Sequence, residues 1–169
     1  IYSKSDFSVF ISGVGEKKTI QRIHQLMNMD FEWDETIIIN IGIAGGHPKT
    51  TSFGECYLIH KITTESTGDS YFPDILTNHD WGERSLITCN KPITQVSIDY
   101  PELVDMESAY IYHSMLKIIP SHRMIFIKIV SDHMDIINWR EVNIENLIQN
   151  HIISIQDWIS NNEWSYFKD

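Results

Sequence analysis

The sequence predicts an α/β fold in a single domain. Two nearly continuous β-branched runs, 36–41 and 124–130, have the character of strands covered on both faces. Amphipathic helical stretches alternate with such runs along the chain, the pattern of helices laid over a sheet. A length of 169 residues is enough for one buried core, and no linker, internal repeat or low-complexity tract divides 1–169.

Taken in order, Phe-Ser-Val-Phe-Ile at 7–11 reads as a short strand from its aromatic and β-branched content. Ser12-Gly13-Val14-Gly15 turns the chain, and Glu16 opens a helix to about Met29 with Ile20, Ile23 and Met27 at helical spacing. The strand at 36–41 runs into Gly42-Ile43-Ala44-Gly45-Gly46-His47-Pro48, read as a loop whose glycines let backbone N–H groups approach a ligand. A further strand is expected over 54–63. Residues 64–83 are polar, with Gly, Pro, Asp and Asn, and are expected to form a long excursion. Another strand over 84–89 follows, with a short extension at 95–98.

Leu103-Val104 leads through Asp105-Met106-Glu107-Ser108 into a helix over about 107–118, whose Ala109, Tyr112, Met115, Leu116 and Ile119 make an apolar face. Pro120 ends it. The strand at 124–130 closes on Ser131-Asp132, and a last helix is expected over 143–161. Its apolar stripe includes Leu147, Ile148, Ile152, Ile155 and Trp158, and His151 lies on the same stripe, as a packed histidine rather than a ligand.

Acidic residues outnumber basic ones 23 to 13, a net charge of −10. That balance excludes phosphate-backbone binding through clustered Lys and Arg, so no nucleic acid partner is expected. It leaves room for a small nucleoside or anionic ligand, because a local pocket can oppose the global charge. No apolar run is long enough to span a membrane, residues 1–10 lack the apolar centre of a signal peptide, and a membrane partner is not expected. Cys56 and Cys89 have no metal-like spacing and suit a reducing compartment, so a cytoplasmic protein is expected. Asp132, His133 and Asp135 are adjacent ligand types without a helical i, i+4 pair, and no metal or other cofactor is expected.

Three segments carry chemistry. The Gly13-Val14-Gly15 turn and the glycines at 42–46 each follow a strand and would open on the same edge of a sheet, where open α/β sheets bind ligands. In Asp105-Met106-Glu107 the two carboxylates stand at i and i+2, so only one of them faces a given pocket. Such a carboxylate either compensates a helix dipole or accepts hydrogen bonds from a pair of sugar hydroxyls, with Met106 against the sugar's apolar face. Ser131-Asp132 ends a buried strand, and Asp132 is either a helix N-cap for whatever follows or a general acid that protonates a leaving group such as a purine nitrogen.

The order of these segments is similar to a known pattern. A Gly-x-Gly turn, then Asn-x-Gly-x-Ala-Gly-Gly, then Met-Glu-Ser-Ala, then Val-Ser-Asp resembles the nucleoside phosphorylase/nucleosidase superfamily over about 9–135. The resemblance is strongest to methylthioadenosine/adenosylhomocysteine nucleosidase and futalosine hydrolase. It implies a nucleoside phosphorylase-like three-layer sandwich around a mixed central β-sheet, and cleavage of the N-glycosidic bond of a purine nucleoside or thionucleoside. It implies that Met106 and Glu107 hold the ribose, that Asp132 protonates the base at N7 and that Ser131 orients Asp132. Ala44, Gly45 and Gly46 would border the sugar or nucleophile, and Ile93 would contact the base. The family habit is a homo-oligomer. A neighbouring chain could then supply a site residue from the 64–83 excursion, with His79 the candidate. Trp33, Trp81, Tyr71 and Phe72 fit either an interface or a core.

The chain also departs from that pattern. The family's first strand is expected before Ile1, and Ile43 stands where many relatives have Ser or Thr. No arginine lies beside the glycine segments, so hydrolysis is favoured over phosphorolysis, with phosphate left open as a co-substrate. The 84–105 segment is shorter than in typical nucleosidases. The alternative is a non-catalytic nucleoside-binding or interaction module that keeps the fold.

Overall fold

The computed structural model describes residues 2–4, 7–136, 142–162 and 164. The chain opens with an antiparallel hairpin of β1 (Tyr2–Lys4) and β2 (Phe7–Val9), separate from the main sheet. Helix α1 (Glu16–Met27) follows, then β3 (Ile38–Gly46), β4 (Cys56–Thr64), β5 (Ser70–Tyr71), β6 (Gly82–Thr88) and β7 (Leu103–Asp105). Helix α2 (Ser108–Met115), β8 (Met124–Asp132) and helix α3 (Ile144–Asn161) complete the order.

The central sheet is mixed, in the order β5-β4-β6-β7-β3-β8, and it curls so that β4 also pairs with β8. β3 runs parallel to β8, from Ile38 opposite Met124 to Gly45 opposite Asp132, with an irregularity at Ala44/Gly45. On its other side β3 meets β7 antiparallel, with Gly45 opposite Val104 and Gly46 opposite Leu103. The β4–β8 closure is antiparallel and brings Cys56, Tyr57 and Leu58 to Ile129, Lys128 and Ile127.

Strand β8 explains the layering. All nine of its residues are buried, and the period-two alternation divides them between two cores. Met124, Phe126 and Val130 join Ile23 and Leu26 of α1 and Ala109, Ile111, Tyr112 and Met115 of α2. Ile125, Ile127 and Ile129 join Leu147 and Ile155 of α3. The two cores lie on opposite faces of the sheet, which gives the predicted three layers. Among the described residues no helix is long and apolar enough to cross a membrane.

Several sequence expectations are corrected. The glycines from Gly42 to Gly46 are not a loop: β3 continues through them to Gly46, because neighbours on both sides hold that backbone extended. The 64–83 excursion contains β5, whose Ser70 and Tyr71 pair with Thr63 and Ile62. Residues 95–98 form turns and bends instead of a strand extension. The buried face of α1 is Thr19, Ile23 and Leu26, with Ile20 and Met27 at its margins. Tyr71 and Trp33 pack against the first core and Trp81 against the second, whereas Phe72 is exposed.

Candidate active site

The site is assembled where β3, β7 and β8 meet. Asp132, 4% exposed, ends β8 with both carboxylate oxygens occupied. Oδ2 accepts the Ser131 hydroxyl at 2.7 Å, and Oδ1 accepts the Met134 backbone N–H at 2.7 Å. The second bond closes a turn in which Met134 takes a φ of 59°. Asp132 therefore does not cap a helix, since α3 begins only at Ile144. Ser131 Oγ also lies 3.2 Å from the Ala44 carbonyl, which ties the acid to β3.

Gly45 lies directly beside this acid. A Cβ there would stand 3.1 Å from Asp132 Oδ1, 3.1 Å from Val104 Cγ2 and 3.4 Å from Met134 Cγ. Next to it, a Cβ at Gly46 would stand 2.2 Å from Thr51 Oγ1 and 2.9 Å from Val130 Cγ1. Close approach requires glycine at Gly46 and leaves only a tight fit for a Cβ at Gly45, and neither has a positive φ. Ile93 and Tyr100 pack against Cys89, Val104 and Met134, so the predicted base contact reaches the residues that border Asp132. An open cavity of about 500 Å³ is lined by Ile93 with Pro92, Val96 and Tyr100, and Asp132 and Glu107 are not among its lining residues.

The two carboxylates of Asp105-Met106-Glu107 take different directions. Asp105 caps α2: its Oδ2 accepts the Ser108 N–H at 3.0 Å and the Ser108 hydroxyl at 2.6 Å. Glu107 is the residue before the helix, yet its side chain makes no capping bond. Its Oε1 reaches across the fold to accept the Gly15 N–H at 2.8 Å, and its Oε2 takes the Met106 N–H at 3.3 Å. Met106 Cε comes within 3.9 Å of where a Gly15 Cβ would be. The Gly-x-Gly turn is thus joined to Met106-Glu107. Burial, with Asp105 beside it, pushes the Glu107 carboxyl above the ordinary value of 4.5, and the Gly15 amide and Lys128 oppose that rise.

A buried charge beside these residues that the sequence did not single out is Lys128. Its Nζ lies 3.0 Å from Asp105 Oδ2, and both side chains are at most 2% exposed. Asp105 Oδ1 accepts the Thr88 hydroxyl at 2.7 Å, and Thr88 Oγ1 accepts the Ala109 N–H. A Cβ at Gly42, opposite Lys128, would come 3.3 Å from Nζ. The signal was visible as one lysine inside Ile125-Phe126-Ile127-Lys128-Ile129-Val130. A buried ammonium needs a buried anion, but only the fold identifies Asp105 as that anion.

Other candidates lie elsewhere. His133 Nδ1 contacts the Gly46 carbonyl at 3.1 Å, and Asp135 accepts the His133 backbone N–H at 3.2 Å. His151 Nε2 sits 2.6 Å from the Gly54 carbonyl, a packing role. His79 stacks on Trp81 with Nε2 3.6 Å from Glu83. Arg84 binds the Thr50 carbonyl and lies over the Tyr57 ring. Ile43 is inside β3, opposite Ile129.

This architecture, a mixed sheet between helical layers with its polar residues gathered at the ends of β3, β7 and β8, is the nucleoside phosphorylase-like fold. Three solved structures with this fold, all 5′-methylthioadenosine/S-adenosylhomocysteine nucleosidases (MTAN), superpose on the chain. A variant of MTAN from Chlamydia trachomatis superposes with a TM-score of 0.60 at 17% identity, covering 91% of this chain and 74% of that one. The Neisseria meningitidis nucleosidase in complex with methylthio-immucillin-A gives 0.60 at 14%, covering 88% and 71%. The Colwellia psychrerythraea nucleosidase in complex with adenine gives 0.57 at 16%, covering 72% and 63%. In other structures of the Chlamydia protein the matched part is 57% of that chain. The chain therefore spans a little over half to three quarters of the nucleosidases it matches. No protein-family model and no curated protein sequence matches it.

Proposed function

We propose that this protein cleaves the N-glycosidic bond of a purine nucleoside or thionucleoside, by hydrolysis in preference to phosphorolysis. The observation that carries this reading is the presence of two carboxylates at the ends of β8 and β7, the strands that flank β3: buried Asp132 beside Gly45, and half-buried Glu107 just past β7. Asp132 lies opposite Gly45 on β8, and on the other side Val104 leads within three residues to Glu107. Asp132 donates a proton to the base at N7, which makes the base a better leaving group. The C1′–N bond then breaks with its electron pair on the base, and the sugar develops oxocarbenium character. A water oxygen bonds to C1′ and loses its proton to solvent, from which Asp132 is reprotonated. Glu107 accepts hydrogen bonds from the ribose hydroxyls, with Met106 against the sugar, Ile93 against the base and Ala44, Gly45 and Gly46 along the sugar's edge. Ser131 aims the Asp132 carboxyl.

The ligands named in the solved relatives, adenine and methylthio-immucillin-A, support a nucleoside-sized substrate. A second reading, a nucleoside-binding module without turnover, is favoured by Ile43, which offers no hydroxyl to an attacking water or phosphate. Incubation with a panel of purine nucleosides and 5′-thionucleosides, with and without phosphate, separates the two. Free base should appear without phosphate and vanish in Asp132→Asn. Thermal stabilisation by nucleoside without base release would establish the second reading instead. An unaffected Asp132→Asn variant would remove the assigned acid.

A further inference from the structure

Glu107 stands in an awkward electrostatic position for a residue that must accept hydrogen bonds. It is half-buried, and a second carboxylate, Asp105, sits two residues away at the end of β7. Two desolvated carboxylates at close quarters do not both ionise readily, and a protonated Glu107 would be a donor where an acceptor is needed. The groups acting on it, among the described residues, are Asp105 from β7, Lys128 from β8, the Gly15 amide from the turn before α1 and the Met106 amide.

We propose that the buried Asp105–Lys128 pair is a positioning device for Glu107: Asp105 fixes the start of α2 so that Glu107 is aimed at the ribose, and Lys128 offsets the negative charge that Asp105 adds beside it. This inference rests on the reading of Glu107 as the ribose anchor. Asp105 does the mechanical part. It accepts from Ser108 N and Oγ, and through Thr88 it is tied to the Ala109 N–H, so the first turn of α2 is pinned on both strands beside it. That frees the Glu107 side chain from capping its own helix and lets it reach the Gly15 amide.

Lys128 does the electrostatic part. Its ammonium lies 3.0 Å from Asp105 Oδ2 and partly offsets the charge that Asp105 exerts on Glu107. Gly42 is part of the device, since any side chain there would crowd Nζ, 3.3 Å from the Cβ position. A buried ion pair contributes little stability over an apolar replacement, so its use here is the charge it sets at Glu107.

The test reads Glu107 directly, independently of turnover. Protein carrying ¹³C-labelled glutamate side-chain carboxyls is titrated by NMR, with the Glu107 signal assigned by its absence in Glu107→Gln. Lys128→Met should raise the Glu107 midpoint, because the charge that offsets Asp105 is removed. Lys128→Arg should stay within about half a unit of the parent. Asp105→Asn should lower the midpoint, and Asp105→Asn with Lys128→Met should return it toward the parent.

If Lys128→Met does not fold, Asp105→Asn decides. An unchanged Glu107 midpoint in Lys128→Met, or in Asp105→Asn, overturns the proposal, and a loss of melting temperature alone marks the pair as merely structural. On nucleoside turnover, the acid limb of kcat/KM should move with the NMR midpoint. Shifted midpoints in a protein that cleaves no nucleoside would support the pair's control of Glu107 and overturn the nucleosidase reading separately.

Discussion

Replacing Gly46 and Gly45 by alanine, one at a time, should separate the support of the site from its chemistry. At Gly46 the new methyl would stand 2.2 Å from Thr51 Oγ1 and 2.9 Å from Val130 Cγ1. Ordinary contact needs about 3.5 Å, so Thr51 must move by roughly 1 Å within a packed interior. Thr51 is 6% exposed and donates to the His47 carbonyl at 3.0 Å, so the movement breaks that bond. A lost hydrogen bond of about 1 kcal/mol and overpacking of about 1 to 3 kcal/mol together predict a loss of about 2 to 4 kcal/mol.

Urea denaturation followed by tryptophan fluorescence would read this as a lower midpoint at constant slope. Adding Thr51→Ala removes the shortest contact and should recover part of the loss. At Gly45 the contacts are 3.1 Å, so the neighbours yield by only a few tenths of an ångström. There stability should fall by less than about 1 kcal/mol, while displacement of Asp132 lowers kcat about tenfold or more. A Gly46→Ala variant within about 0.5 kcal/mol of the parent would refute the packing described for β3.

Other expectations follow from the same contacts. Ser131→Ala removes the hydroxyl donated to Asp132, and base release should fall about tenfold with a stability loss near 1 kcal/mol, measurable by steady-state kinetics and thermal melts. The folded protein holds the Glu107 proton more tightly than the unfolded chain, so its contribution to stability is greatest in acid. That contribution falls as pH rises from the ordinary value of 4.5 through the raised one. Glu107→Gln should therefore gain stability relative to the parent between pH 4 and pH 7 on the order of that linkage, a trend readable from urea midpoints. Cys56 and Cys89 are buried, with thiols pushed up to about 12 by desolvation. Neither should react with a disulfide reagent at pH 8 on the order of minutes in the native state, and both should react in denaturant.

The sequence by itself determined a great deal here, for physical reasons that can be named. The alternation of β-branched runs and amphipathic stretches identified β3, β4, β6, β8 and all three helices, because period and burial are local properties of the chain. Ser131-Asp132 at the end of a buried strand, and Met106-Glu107 before a helix, were legible for the same reason. Three features depended on contacts distant in sequence. The 42–46 glycines read as a loop, and only pairing with β7 and β8 holds them as a strand. Of the two carboxylates at 105 and 107, local spacing indicated that one would face the site but not which. The choice was made by Lys128, 23 positions from Asp105, and by the Gly15 amide, 92 positions from Glu107. Charge pairing and hydrogen bonding act through space, and strand order decides which residues become neighbours.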